Sequence, residues 1–356
     1  MKKKVLVGMS GGIDSSITAL LLWEQGYDVE GLTLKLYNEC DNSCCSDVAI
    51  QDAKKLCQKL GINHYNSDYQ EDFHKFVVSD FINTYLSGKT PNPCVECNRH
   101  IKFKFLLKEA DKKGVKNIAT GHYCNIEWRD GSRVLVKGDD EAKDQSYFLY
   151  SLKEEWLSRI IFPLGKFKKS QVKEKAVLKG FDKLREKKES YEICFIPDSY
   201  KKFIHDRIGE IPGNIVFWPD NKILGNHNGI YNYTIGQSRG LNISYSHKLY
   251  VREIDSVSAT VYVSEEKDVF FSEFKIENIN FFSYFKKIYS KDEYYDVKIR
   301  YYSKPVKAKI KNIDWENKTA QVILENKVKA VTCGQSAVFY KDNVLLLGGK
   351  ISHVSV

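Results

Sequence analysis

The chain has 356 residues, 42% hydrophobic and 28% charged, with 55 Lys and Arg against 46 Asp and Glu for a formal net charge of +9. This is the composition of a globular protein with room for about two or three cored domains; it contains no repeats or low-complexity tracts and no apolar run of membrane-spanning length. Met1 and Lys2 to Lys4 lead into a strand rather than an apolar signal segment, so a cytoplasmic location with no membrane partner is expected, and nine cysteines there suggest thiol chemistry or metal before structural disulfides.

Lys4, Val5, Leu6 and Val7 read as a buried strand, and the apolar residues 17–23 read as a helix stopping at Gly26. Between them lies the string Gly8, Met9, Ser10, Gly11, Gly12, Ile13, Asp14, Ser15, Ser16. Strand, glycine turn and helix aim backbone N–H groups and the positive helix end at an anion. Gly11 and Gly12 let a phosphate approach the backbone, Ser10, Ser15 and Ser16 offer hydroxyls, and Asp14 can cap the helix or hold a magnesium ion. A capped turn would use the same residue types, but the whole string favours nucleotide binding. It lacks the Gly-Lys-Ser/Thr of a Walker loop and the spacing of a dinucleotide site. It resembles the pyrophosphate loop of the ATP-pyrophosphatase superfamily, whose members cleave ATP between the α and β phosphates.

Residues 27–37 form a second predicted strand, followed by a polar loop with Cys40, Cys44 and Cys45. A helix over 47–60, a strand over 62–65, a helix over 72–86 and a strand over 116–121 follow, implying βαβ units on a parallel sheet with ligands at the strand carboxyl ends. Within this region Pro91 and Pro93 predict an extended loop leading into Cys94-Val-Glu-Cys97. A Cys-x-x-Cys can be a redox pair, half a zinc site or two cluster ligands; a zinc ribbon needs a second pair, which this chain lacks. The Asp130-Gly131 turn before residues 134–137 predicts a hairpin, and residues 170–179 a helix ended by Gly180. Cys194 stands in an apolar run, where an inert buried thiol is the ordinary reading. From about Ile211 short alternating runs with Gly- and Pro-bearing turns predict a small antiparallel β-barrel, with boundaries near 204 and 272. From Phe271 onward 15 Lys and Arg face 9 Asp and Glu, a balance of +6. A polyanionic partner and a merely solvated basic surface account for that excess equally.

Together these segments change the reading of each. Residues 8–16, 91–103, 121–123, 143–149, 192–195, 233–237 with 239–241, 297–301 and 334–339 resemble, in order and spacing, the tRNA-specific 2-thiouridylase family of bacteria over nearly the full length. The resemblance implies an α/β fold class: an N-terminal parallel-sheet pyrophosphate-loop domain (1–203) for adenylation and thiolation, a small central domain (204–272) and a C-terminal antiparallel β-barrel (273–356) for tRNA. It implies ATP on Gly8, Met9, Ser10, Gly11, Gly12, Ile13, Asp14 and Ser15, with Leu34 and Gly121 beside the nucleotide, and Mg2+. The uridine 2-oxygen of the wobble nucleotide would be adenylated, Cys194 would carry a persulfide and Cys97 would act as its partner, leaving a disulfide. Asn92, Pro93, Cys94, His122, Lys143, Asp144, Gln145, Arg300, Tyr301 and Gln335 would contact tRNA, of the Glu, Gln and Lys acceptors. A cysteine desulfurase or sulfur-relay protein would donate the sulfur.

One position departs from the family's familiar form, which has Asp where this chain has Cys94. With Cys97 and Cys194 it makes three thiols that can hold an iron–sulfur cluster (4Fe-4S) with an open iron. Two rivals remain open at this point: a pyrophosphate-loop ligase activating a small carboxylate or amide, which needs neither thiol, and a non-catalytic RNA-binding protein, which needs neither Asp14 nor the loop serines.

Overall fold

Strand β1 (Lys4–Gly8) is an unbroken apolar run because helices cover both of its faces. Val5 and Val7 join a core with Ile17 and Leu21 of α1 (Ile13–Glu24) and Leu56 of α2 (Asp47–Leu60), whereas Leu6 faces a second core containing Phe105 and Leu106. The computed structural model describes residues 2–37, 47–181 and 193–355. Cys40, Cys44, Cys45 and residues 190–192 of the Cys194 motif lie outside the described residues.

Parallel pairing joins β1 to β2 (Asp28–Lys35) and β4 (Asn117–Ala119), and β3 (His64–Asp68) and β7 (Ile160–Ile161) complete the order β3-β2-β1-β4-β7. The order reverses at β1, so the loops leaving β1 and β4 flank the crevice where such sheets bind ligands. The helix α1 begins at Ile13, ahead of the apolar residues that predicted it, because Gly12 is its N-cap. The helix expected over 72–86 runs from Gln70 and widens into a π turn at His74–Val78 before Ser79–Leu86.

A second difference concerns the Cys-x-x-Cys. The extended loop ends at Asn92: Pro93 opens the helix Pro93–Cys97, which passes through a π turn at Asn98–Lys102 into Phe103–Lys112. Pro suits a first helical turn, where its missing N–H costs nothing, and π turns of this kind recur at functional sites.

Beyond the helix Tyr200–Ile208, strands β8 (Gly213–Phe217), β9 (Lys222–His227), β10 (Tyr250–Asp255) and β11 (Thr260–Ser264) form a sheet in the order β10-β11-β8-β9, with β11 and β8 parallel. It has its own core around Val251, Val261 and Val263. Strands β12 (Phe270–Phe281), β13 (Tyr295–Lys298), β14 (Val306–Asp314), β15 (Thr319–Lys329), β16 (Ser336–Lys341) and β17 (Val344–Ser355) form an antiparallel barrel, closed by pairing of β12 with β17. The architecture is thus the expected one of α/β domain, small central unit and barrel. The hairpin β5 (Cys124–Arg129) and β6 (Ser132–Lys137) has an unexpected place, extending the barrel's sheet beyond β17 through Val136 and Val344. Among the described residues no helix is long and apolar enough to cross a membrane.

Candidate nucleotide and thiol site

The loop after β1 lies where the switch in strand order places it. Gly11 has φ +67°, and a Cβ there would come within 2.4 Å of the Ala49 carbonyl oxygen, so both conformation and space require glycine. At Gly12 the space is open apart from the Ser10 hydroxyl. No side chain caps α1, which leaves the N–H groups of its first turn to a ligand. The serines behave differently from expectation. Ser15 and Ser16 are buried, and both hydroxyls donate to the Gly12 carbonyl, at 3.1 and 2.9 Å, while Ser15 Oγ accepts from the Ser10 N–H. They brace the loop, and the half-buried Ser10 hydroxyl meets Ser15 Oγ at 3.2 Å. Gly121, just past β4, packs on the same loop: a Cβ there would meet the Asp14 carbonyl carbon at 2.8 Å. Met9 and Leu34 are both buried.

Asp14 does not cap α1. Its carboxylate accepts from Lys169 Nζ at 2.7 Å to each oxygen and from the Tyr123 hydroxyl at 2.7 Å. Lys169 opens the helix Lys169–Leu178 and is only 9% exposed. The sequence reading missed this residue. The loop has no lysine of its own, and the fold brings one from 155 positions downstream. One signal was available: adjacent lysines at a helix N-terminus oppose the helix dipole and need a compensating partner.

The thiols differ in environment. Cys94 is exposed on the first turn of Pro93–Cys97, whereas Cys97 is 4% exposed and belongs to the large apolar cluster against which Ile193 and Cys194 pack. The approach to this helix is strapped to the barrel. The Thr90 N–H donates to the Cys333 carbonyl at 2.9 Å, and Gln335 Nε2 donates to the carbonyls of Pro91 at 2.9 Å and Thr90 at 3.3 Å.

Several expected RNA contacts have their polar groups turned inward. Asp144 is buried and accepts from the N–H groups of Gly138 and Ser146 and from the Ser146 hydroxyl. Gln145 Oε1 accepts from the Tyr123 N–H, and Gln335 makes the strap just described. Arg300 donates to the Ile235 carbonyl at 3.2 Å, the Ala330 carbonyl at 2.9 Å and the Thr332 hydroxyl, tying the central unit to the barrel. Tyr301 packs against Phe148 in a tilted contact, 4.4 Å between centroids, and its pKa is pushed up to about 12 by burial, with Tyr302, Asp144, Cys94 and Asp140 adding to the shift. Asn92 and Lys143 are half-buried, and Pro93 is buried. His122 hydrogen-bonds Thr120 Oγ1 through Nδ1 at 2.8 Å, and burial, with Lys102 adding, drives its pKa to about 3, so the ring is neutral near pH 7.

Family models match the chain in three consecutive parts. Residues 3–198 match a tRNA methyl transferase HUP domain, 201–265 a tRNA methyl transferase PRC-barrel domain and 271–351 an aminomethyltransferase β-barrel domain. A tRNA-specific 2-thiouridylase MnmA of Clostridium perfringens is 42% identical over 98% of this chain and 98% of its own, and one of Clostridium acetobutylicum 43% over 99% of each. The chain belongs to the tRNA-specific 2-thiouridylase family. Among solved structures, the U34-tRNA thiolase NcsA of Methanococcus maripaludis, with its iron–sulfur cluster, is similar at TM-score 0.35 and 20% identity over 57% of this chain and 63% of that one.

Three further cysteines of this chain have structural places. Burial pushes the Cys57 thiol up to about 11 and raises those of Cys124 and Cys333, so none is a thiolate near pH 7. Cys94 is exposed, Cys97 buried and Cys194 intermediate, and among the described residues no three His, Cys, Asp or Glu side chains are grouped to hold a metal ion. Arg300→Ala should lower the urea midpoint, since it removes charged hydrogen bonds worth about 1.5–3 kcal/mol each. The salt dependence of tRNA binding should stay as it was, because this guanidinium is engaged within the protein; a flatter slope would instead make Arg300 a phosphate contact.

Proposed function

We propose that this chain is a tRNA-uridine 2-sulfurtransferase that adenylates the wobble uridine and replaces its 2-oxygen with sulfur. The observation that carries the reading is the pairing of two parts: an uncapped glycine loop at the crevice of the parallel sheet, and Cys97 in the apolar cluster that Cys194 joins. Phosphate loop and thiols suit activation followed by sulfur transfer, whereas methyl transfer requires neither. Residues 1–203 would hold ATP and the thiols, 204–272 would link the two ends, and the basic barrel 273–356 would bind tRNA.

The uridine 2-oxygen attacks the α-phosphorus of ATP at the Gly8–Ser15 loop and pyrophosphate leaves. Charge at the phosphates is met by the N–H groups of α1 and by Lys169. Asp14 suits Mg2+ as its protein ligand, since magnesium commonly takes one or two carboxylates with the substrate's phosphates; when bound it neutralises phosphate charge. A persulfide on Cys194 then adds to C2, and AMP departs with the oxygen. The Cys97 thiolate attacks Cys194 Sγ and breaks the bond to the transferred sulfur, which stays on C2 as the thiocarbonyl. A Cys97–Cys194 disulfide remains, to be reduced by an external dithiol. The sulfur source is a cysteine desulfurase or relay protein, and the substrates are tRNAs for Glu, Gln and Lys.

Incubation with ATP, tRNA and a persulfide donor should yield AMP, pyrophosphate and 2-thiouridine, the last read by nucleoside mass spectrometry. ADP and phosphate as products, or unchanged 2-thiouridine in cells lacking the gene, would overturn the reading.

A further inference from the structure

We propose that Tyr302 is a stacking platform for an unpaired RNA base adjoining the thiolation target, a subsite that rests on tRNA being the substrate. Tyr302 is 81% exposed, more than any other aromatic ring among the described residues. Its ring meets Tyr301 edge-on with centroids 4.7 Å apart, and Tyr301 lies against Phe148. The Phe148 carbonyl accepts from Asn98 Nδ2 at 3.1 Å, and Asn98 directly follows Cys97. A row of aromatic rings therefore leads from solvent to the helix that carries both Cys94 and Cys97.

The display of Tyr302 is built rather than incidental. The turn that carries it is closed by the Ser303 N–H and hydroxyl, both donating to the Arg300 carbonyl, at 3.1 and 2.8 Å. The Arg300 side chain anchors that turn to Ile235, Ala330 and Thr332 on two other segments. A fixed backbone turn beneath an exposed ring lowers the entropy lost when a base stacks on it. An edge contact with Tyr301 leaves ring surface of Tyr302 open, and Lys298 Nζ, 5.3 Å from the Tyr301 centroid, adds positive charge beside the row. Single-stranded bases are held in this manner, by aromatic faces beside cations, with little dependence on base identity.

The test uses the full chain and an RNA hairpin whose loop presents the target uridine, with affinity read by fluorescence anisotropy. Tyr302→Ala should weaken binding by about 5- to 100-fold, the range of a lost base–aromatic stack. Tyr302→Phe should stay within about twofold of the parent, because the face and not the hydroxyl is used. The slope of affinity against salt should not change, since no charge is removed. A hairpin with an abasic site beside the target should bind the parent weakly and lose nothing further with Tyr302→Ala, the non-additivity of two groups that touch. Tyr302→Ala with undiminished affinity, or equal losses on intact and abasic hairpins, overturns the proposal. An equal loss in Trp128→Ala, an exposed ring on the β5–β6 hairpin, does so too. Failure of the parent to bind any such hairpin refutes the tRNA reading instead.

Discussion

Replacing Cys194 with serine should reduce 2-thiouridine formation on the order of a thousandfold or more, the scale of losing a nucleophile that forms a covalent intermediate. Pyrophosphate release in the presence of tRNA should continue, because the loop at Gly8 to Ser15 is assembled without Cys194. Cys97→Ser should fail differently: sulfur would reach C2, but nothing would cleave the bond to Cys194, so a tRNA–protein adduct labile to dithiothreitol should accumulate on non-reducing gels. Cys94→Ser should retain most activity, since Cys94 is exposed on the first helical turn while Cys97 is buried in the cluster that Cys194 joins. Equal and complete loss in all three variants, with activity dependent on iron, would contradict the persulfide route and require a different arrangement of the thiols.

The parts legible in the sequence were those governed by short-range rules. Helix α2 over Asp47–Leu60 and the stop at Gly180, with φ +70°, follow from apolar spacing and glycine's tolerance of left-handed backbone. Parts set by partners distant in the chain were not legible. Strand β17 shows no period-two pattern, because residues 344–347 are continuously apolar and Gly348 and Gly349 break the alternation. Gly348 must be small: a Cβ there would come within 2.4 Å of the Tyr150 ring. The inward roles of Arg300, Asp144 and Gln335 were equally hidden, since a charged or amide side chain reads as surface until its partners are in place. Gln335 ties the barrel to the segment that leads to Cys94, Arg300 ties it to the central unit, and Asp144 closes the loop between Gly138 and Ser146.

Lys169 is the clearest instance, and its replacement should have the second large effect. Lys169→Met should lower kcat/KM for tRNA-dependent pyrophosphate release by on the order of 10²–10³, the scale of removing one preorganised charge from a developing phosphate anion. Its ammonium is held at 2.7 Å from Asp14, with side-chain exposures of 11% and 34%, so the cation waits at the loop before any ligand arrives. On binding, phosphate oxygens can replace the carboxylate as its partner and leave Asp14 to magnesium. The stability cost should be small, about 1 kcal/mol after allowance for solvent screening of the half-exposed carboxylate, which keeps the Tyr123 hydroxyl. Stability and turnover measured together distinguish the two roles. If the ion pair served only the fold, Lys169→Met would lower the urea midpoint and leave pyrophosphate release at the parent rate. If Lys169 serves the phosphates, pyrophosphate release falls while the urea midpoint shifts little, and tRNA affinity is unaltered. Lys169→Met that releases pyrophosphate at the parent rate would reduce this lysine to a structural partner of Asp14.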